Sequence, residues 1–430
     1  MPLEIRHHTY LETILPGVDV RMEGSGGQVK KGCCGSFKKK KAMSNGPSQL
    51  KLLHNLGGYL IIKNLGHGKD EVRECKDANL KEKHHLQQLL LQWDASKWDG
   101  ETDEMLEVLQ PHPNLKALEL WNYMGVRIPS WVSSLTNLVS FGLYGNRRLQ
   151  HLPPLNQLPF LESVSLQCME SLEYIWIDEE SVSNVMGASS SSSSSSKTPF
   201  FPSLSFLMII ECPKLKGWWR NEPHHLLLPS FPPSLSELQI FYCPNLTYMP
   251  PFPYLKERLE LYNCSWKVLE QTMKMGAAAT STYFPLSQLQ QLDLYEVKDL
   301  ESLPEEGLRN LVSLRELSIQ RCDGLVSLPS SIGILTSLQT LQIWGCPNLT
   351  SLPQEIRNLT SLKELQIWDC PLLGQRCKRQ IGEDWPFIAH VPRVLVDGWN
   401  QQEETISSEV DDQNQEQETI SSESESDSVC

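Results

Sequence analysis

The sequence predicts an α/β solenoid: short parallel strands stacked side by side, joined by irregular or short helical connections. Three observations predict it. One leucine pattern recurs along most of the 430 residues, and cysteines return on the same beat. No apolar run approaches the roughly 20 residues of a membrane helix. The densest stretch is FLMII at 206–210.

The pattern is clearest at Leu338, Leu341, Ile343 and Cys346, which have offsets 0, +3, +5 and +8. The same offsets recur at Leu204, Leu207, Ile209, Cys212 and at Leu235, Leu238, Ile240, Cys243. They recur again from Leu314 to Cys322 and from Leu362 to Cys370. Weaker copies begin at Leu115, Leu138, Leu161, Lys256 and Leu289. Two more stand upstream, at Gly57, Leu60, Ile62 and at Leu86, Leu89, Leu91. This spacing is the leucine-rich-repeat signature. Offsets +3 and +5 lie on one face of a strand. One strand cannot bury its leucines alone, whereas stacked copies share a continuous apolar interior. The expected form is a curved horseshoe of about 10–12 repeats, with a parallel sheet on its concave face. The L-P-x-x-I-x-x-L segments at Leu328–Leu335 and Leu352–Leu359 should carry the chain onto an irregular or short helical convex side.

Six of the 12 cysteines occupy offset +8. Three readings compete: a disulfide framework, metal ligation, or one corner position in a repeated unit. The N-terminus lacks the apolar core of a signal peptide, so the default compartment is reducing. One residue per layer offers no disulfide partner, and no C-x-x-C or His/Cys pair has ligand spacing. The corner reading is therefore adopted, with a small side chain that bonds weakly.

Offset +6 points away from the core. It reads Trp121, Tyr144, Gln167, Ile210, Phe241, Tyr262, Tyr295, Gln320, Trp344 and Trp368. Seven of these ten are aromatic, against 8% in the whole chain. Strands about 4.8 Å apart would make them a near-continuous stripe. Glu119, Glu237, Glu260, Asp293, Glu316 and Glu364 run beside it. Rigid apolar anchors with flanking charges suit a protein-binding face. The alternative is that the rings stack on one another and stiffen the sheet.

The domain plan has three parts. Residues 1–49 read as a degenerate repeat fragment followed by an exposed basic loop with Lys38 to Lys41. Pro2, Ile5, Leu11 and Ile14 match the spacing of Pro329, Ile332, Leu338 and Leu341. The chain thus reads as beginning inside a repeat, with Met1 an internal methionine of a longer ancestor or the start of a truncated gene. Residues 50–397 form the repeat domain, with a Ser-rich insertion at 181–198 and a second insertion at 265–285. Residues 398–430 form an acidic tail too poor in apolar residues to fold. In it Ser408, Ser422 and Ser424 stand three residues before an acid, as an acid-directed kinase requires.

The net charge is −14, of which residues 401–430 contribute −10. The mildly acidic body argues against gripping a nucleic-acid backbone. No catalytic constellation emerges. His84–His85 and His224–His225 are tandem pairs that do not share a face, and Asp384 and His390 lack a matching nucleophile. The expectation is a non-enzyme without metal or cofactor.

Four stretches carry a family resemblance: ANLKEKHHLQQLLLQWD (78–94), VLQPHPNLKALELWNY (108–123), IPSWV (128–132) and GEDWPFIAHVP (382–392). On these the chain resembles the C-terminal leucine-rich-repeat region of plant disease-resistance proteins of the coiled-coil, nucleotide-binding, leucine-rich-repeat class. The resemblance covers about 50–397. It implies a cytoplasmic immune receptor, with a nuclear location as the variant. Its repeats would bind a pathogen effector or a guarded host protein. They would also restrain the nucleotide-binding domain of a full-length receptor. Nothing here matches a phosphate loop, so the chain reads as a recognition module lacking its switch. Two alternatives stay open. One is a non-functional truncated fragment. The other, less favoured, is a secreted repeat receptor: the sequons at Asn245, Asn263, Asn348 and Asn358 would suggest it, but three are NLT recurring with repeat phase and no secretion signal accompanies them.

Overall fold

A computed structural model describes residues 18–21, 47–53, 55–66, 69–97, 104–176, 200–220, 229–274 and 284–397. The repeat-like start at 1–14, the lysine run, His224–His225, the eight serines at 189–196, MGAAATST and the acidic tail lie outside the described residues. The chain divides into two compact units, one ending at Leu286 and one beginning at Ser287.

In the first unit the strands are β1 (Val18–Arg21), β2 (Gly57–Leu65), β3 (His85–Trp93), β4 (Ala117–Trp121), β5 (Ser140–Tyr144), β6 (Ser163–Gln167), β7 (Tyr174–Trp176), β8 (Phe206–Ile210), β9 (Gly217–Trp219), β10 (Glu237–Phe241) and β11 (Arg258–Tyr262). They run parallel in the order β1-β2-β3-β4-β5-β6-β8-β10-β11, while β7 and β9 pair separately. The second unit continues with β12 (Gln291–Tyr295), β13 (Glu316–Gln320), β14 (Thr340–Trp344), β15 (Glu364–Trp368) and β16 (Arg393–Val396), also parallel and in sequence order. Sequential strands with neighbours one repeat away are the mark of a leucine-rich-repeat solenoid.

The strands explain themselves at residue level. In β4, β6 and β12, buried residues alternate with half-exposed ones, and the buried ones are offsets +3 and +5. The ladder is in register, so Leu341 faces Leu365, Ile343 faces Ile367 and Trp344 faces Trp368. Leu338, Leu341 and Ile343 are fully buried. Each such side chain contributes roughly 1.5–3 kcal/mol of burial. The upstream repeats obey the same rule: Leu60 faces Leu89 and Ile62 faces Leu91, all buried. Their strands are longer, and the β2–β3 register shifts after Gly58 and Ile62.

A corner follows every repeat strand from β4 to β15, leaving aside the separate β7–β9 pair. Offset +7 takes a left-handed backbone in all ten cases, with φ from 49° at Asn263 to 70° at Gly145. In eight of them its N–H donates to the offset +6 carbonyl of the next strand, as from Arg321 to Trp344 (2.7 Å) and from Gly345 to Trp368 (2.8 Å), and at the last corner Asp369 N donates to Asp397 Oδ1 (2.8 Å) instead. Offset +8 then turns inward, and in half of the repeats its side chain is stitched to the previous layer. Asn146 Nδ2 donates to Leu120 O (3.1 Å), and Tyr123 N donates to Asn146 Oδ1 (2.6 Å). The thiols of Cys264, Cys346 and Cys370 reach the equivalent carbonyls of Ile240, Ile319 and Ile343 at 3.0, 3.9 and 3.8 Å.

The corner reading of the cysteines therefore stands, but one premise does not. Stacked layers do bring successive slots together: Cys346 N donates to Cys370 Sγ at 3.3 Å. These cysteines are free thiols. Burial pushes Cys322 up to about 11 and, in the terminal repeat, Cys377 up to about 12, so both stay protonated.

Three further departures have local causes. Residues 17–49 are not all loop. Val18–Arg21, which alternates apolar and polar residues, adds a strand alongside β2. Pro47–Leu52 forms a 3-10 helix, and the buried Lys83 donates Nζ to Leu50 O (2.7 Å) and Leu53 O (2.9 Å) at its end. The insertion at 265–285 begins as the helix Lys267–Lys274, which buries Val268, Leu269, Thr272 and Met273. Opposite the strands, Ser130–Ser134, Ser330–Ile334 and Gln354–Asn358 are single 3-10 turns, each entered at a proline.

The last repeat ends in a cap. The helices Pro371–Arg376 and Trp385–Ile388 precede β16. Fully buried Asp384 lies between them and accepts from Arg376 Nη2 (2.8 Å), Arg376 Nε (3.2 Å) and Leu352 N (2.8 Å). The GEDWPFIAHVP stretch thus holds the end of the stack closed, with Asp384 as its buried acceptor.

Candidate functional site

The offset +6 column lies on the exposed face of the sheet, as its spacing predicts, but it is not one uniform stripe. In the first unit Trp121 and Tyr144 stack with ring centres 4.3 Å apart, and Phe241 and Tyr262 stack at 4.5 Å. All four rings are half-buried. Gln167 and Ile210 separate the two pairs. The acids beside them are engaged as well. Trp121 Nε1 donates to Glu119 Oε2 (2.9 Å), and Glu260 pairs with Arg258 at 3.7 Å. Burial, reinforced by the Glu119 charge, raises the Tyr144 phenol to about 12. In this unit the rings stack on one another and stiffen the sheet.

The second unit differs. Tyr295 and Trp344 are two strands apart, with Gln320 between. The Arg321 guanidinium carbon lies 5.6 Å from the Tyr295 ring centre and 5.7 Å from that of Trp344. Its charge pairs with Glu296 at 3.6 Å. Trp344 and Trp368 are register partners on adjacent strands and remain 43% and 37% exposed. Glu364 beside them accepts from Gln366 Nε2 (2.7 Å) and pairs with Arg393 (3.2 Å). Spacing alone missed Arg321. The signal was available one position along, where the offset +7 column reads Glu296, Arg321, Gly345, Asp369 across β12 to β15.

The other candidates resolve locally. His84 meets His112, with ring centres 4.3 Å apart. Among the described residues no three His, Cys, Asp or Glu side chains gather as a metal-binding set. No helix among them is long and apolar enough to cross a membrane. The recurring asparagines of two sequons carry backbone bonds. Asn245 Nδ2 donates to Pro213 O (2.6 Å) and Asn348 Nδ2 to Asp323 O (2.8 Å).

Residues 48–169 and 306–370 match the R13L1/DRL21 leucine-rich-repeat family. The matched segments are R13L1/DRL21 leucine-rich repeats. Relatives with these repeats include two disease resistance proteins of Solanum bulbocastanum. RGA1 is 33% identical over 281 residues, covering 65% of this chain and 25% of its own. RGA2 is 33% identical over 283 residues, covering 65% and 24%. The RPP13-like protein 1 of Arabidopsis thaliana is 28% identical over 320 residues, covering 66% and 29%. The chain thus spans about a quarter of the length of these relatives. Among solved structures, an internalin of Listeria monocytogenes aligns with TM-score 0.42 and 16% identity, over 82% of this chain and 83% of that one. Trp121, Tyr144, Trp344 and Trp368 all lie within the matched segments.

Proposed function

We propose that this chain is the protein-recognition module of a plant disease resistance protein, acting in the cytoplasm and without enzymatic chemistry of its own. Its partners are a pathogen effector or a guarded host protein, and the nucleotide-binding domain of a full-length receptor. The observation that carries this reading is the exposed pair Trp344 and Trp368 on an acid-lined sheet face, within repeats whose relatives are disease resistance proteins. Large, rigid aromatic surface in an open position is what concentrates binding energy in protein interfaces. Within the second unit the half-buried Tyr295 extends this face, while Trp121, Tyr144, Phe241 and Tyr262 form a separate candidate surface on the first unit.

Cross-linking mass spectrometry tests this. The wild-type chain is incubated with a panel of purified effector proteins and with a nucleotide-binding domain from a full-length receptor of the class it resembles. A captured partner should cross-link to the outward positions and corners of β12 to β15. Cross-links confined to the opposite side, near Ser330–Ile334 and Gln354–Asn358, would sink the assignment.

A further inference from the structure

The second unit already contains a worked example of what its face can hold. The aromatic residue at offset +6 of β12, Tyr295, and the acid that follows it, Glu296, receive a guanidinium together with Trp344. That guanidinium belongs to Arg321, at offset +7 of the intervening strand. The same aromatic–acid pair recurs on β15 as Trp368–Asp369, again beside Trp344. Offset +7 of β14 is Gly345, so the corner between the two indoles carries no side chain of its own, and the internal guanidinium of Arg321 stands on the Trp344 side. Gly345 has a φ of 62°, and both indoles stay open beside it.

Charge points the same way. Across β12 to β15, the outward positions and corners carry Asp293, Glu296, Glu316, Glu364 and Asp369 against Arg321 alone, a net charge of −4. A face of that sign, with open aromatic rings, favours a cation that can stack.

Resting on the reading of this face as a binding surface, we infer that Trp344 and Trp368 accept an arginine side chain of the partner. Its guanidinium stacks on the indoles while the carboxylate of Asp369 supplies the opposing charge, Glu364 being already paired with Arg393. Arginine suits the site better than lysine because its planar group stacks on a ring face and pairs with a carboxylate together. The partner segment is therefore an arginine-bearing basic peptide surface.

Fluorescence anisotropy with labelled hexa-arginine and hexa-lysine, at roughly physiological ionic strength, tests the inference. Hexa-arginine should bind about tenfold tighter than hexa-lysine. Trp344→Ala/Trp368→Ala should weaken hexa-arginine about tenfold or more, and Trp344→Phe/Trp368→Phe, which keeps ring faces, should stay within about threefold. Asp369→Asn should weaken it several-fold. Equal affinity for the two peptides, or a double alanine variant that binds hexa-arginine as the wild type does, overturns the inference. If the peptides are not distinguished but the alanine pair still abolishes capture of an effector, the arginine assignment falls and the recognition face stands.

Discussion

Asn146 does with an amide what the thiols of Cys243, Cys264, Cys346 and Cys370 do elsewhere, reaching a carbonyl of the previous layer. Fully buried, it accepts from Tyr123 N and donates to Leu120 O, so one side chain ties two layers. Asn146→Ala would leave both backbone groups buried without these bonds, and should cost roughly 1–3 kcal/mol. Asn146→Cys should recover part of that, because a thiol serves the same slot at Cys264 and Cys370. The urea midpoints of the two variants, in the order wild type, Cys, Ala, check the point. Asp384 is a second residue of this kind. Asp384→Ala removes the acceptor of Leu352 N and leaves Arg376 unpaired at that site. Arg376 is more than a third exposed, so solvent softens its loss. The expected destabilisation is about 3 kcal/mol, the low end for a broken buried pair, read as a lowered thermal midpoint.

At the scale of the element, the repeat is a five-residue strand, a left-handed corner and an inward stitch. The corner is the part most exposed to strain. Gly345→Ala adds a Cβ 3.2 Å from Arg321 Cγ at a φ of 62°. It should cost about 1–2 kcal/mol by thermal denaturation, while Asn122→Gly, at φ of 57°, should be neutral or slightly stabilising. The strand was legible in the sequence because burial at +3 and +5 imposes a period of two on leucines. The corner was not, because Glu211, Tyr242, Glu296 and Arg321 have no composition in common. The ladder bond imposes their left-handed backbone, overriding local preference. β16 escaped for a related reason: Arg393–Val396 pairs with β15 but lacks the leucine offsets. The aromatic column was visible as a column. Its division into half-buried stacked pairs and an exposed tryptophan pair depended on what stands between the rings. Gln167 and Ile210 interrupt one part, and Arg321 bridges another.

For the molecule as a whole, the two units use one plan for different ends. In the first unit the rings and acids of the sheet face are largely spent on one another. In the second, an acidic face keeps two tryptophans open. The matched repeats make up about a quarter of the length of the disease resistance proteins they resemble. The account rests on one claim, that Trp344 and Trp368 anchor a protein partner. The most direct measurement is the affinity of a captured effector for the wild-type, Trp344→Ala/Trp368→Ala and Trp344→Phe/Trp368→Phe chains by isothermal titration calorimetry. The account predicts a loss of about tenfold or more for the alanine pair, as expected of central aromatic anchors, and near wild-type affinity for the phenylalanine pair. An alanine pair that binds as tightly as the wild type would contradict it.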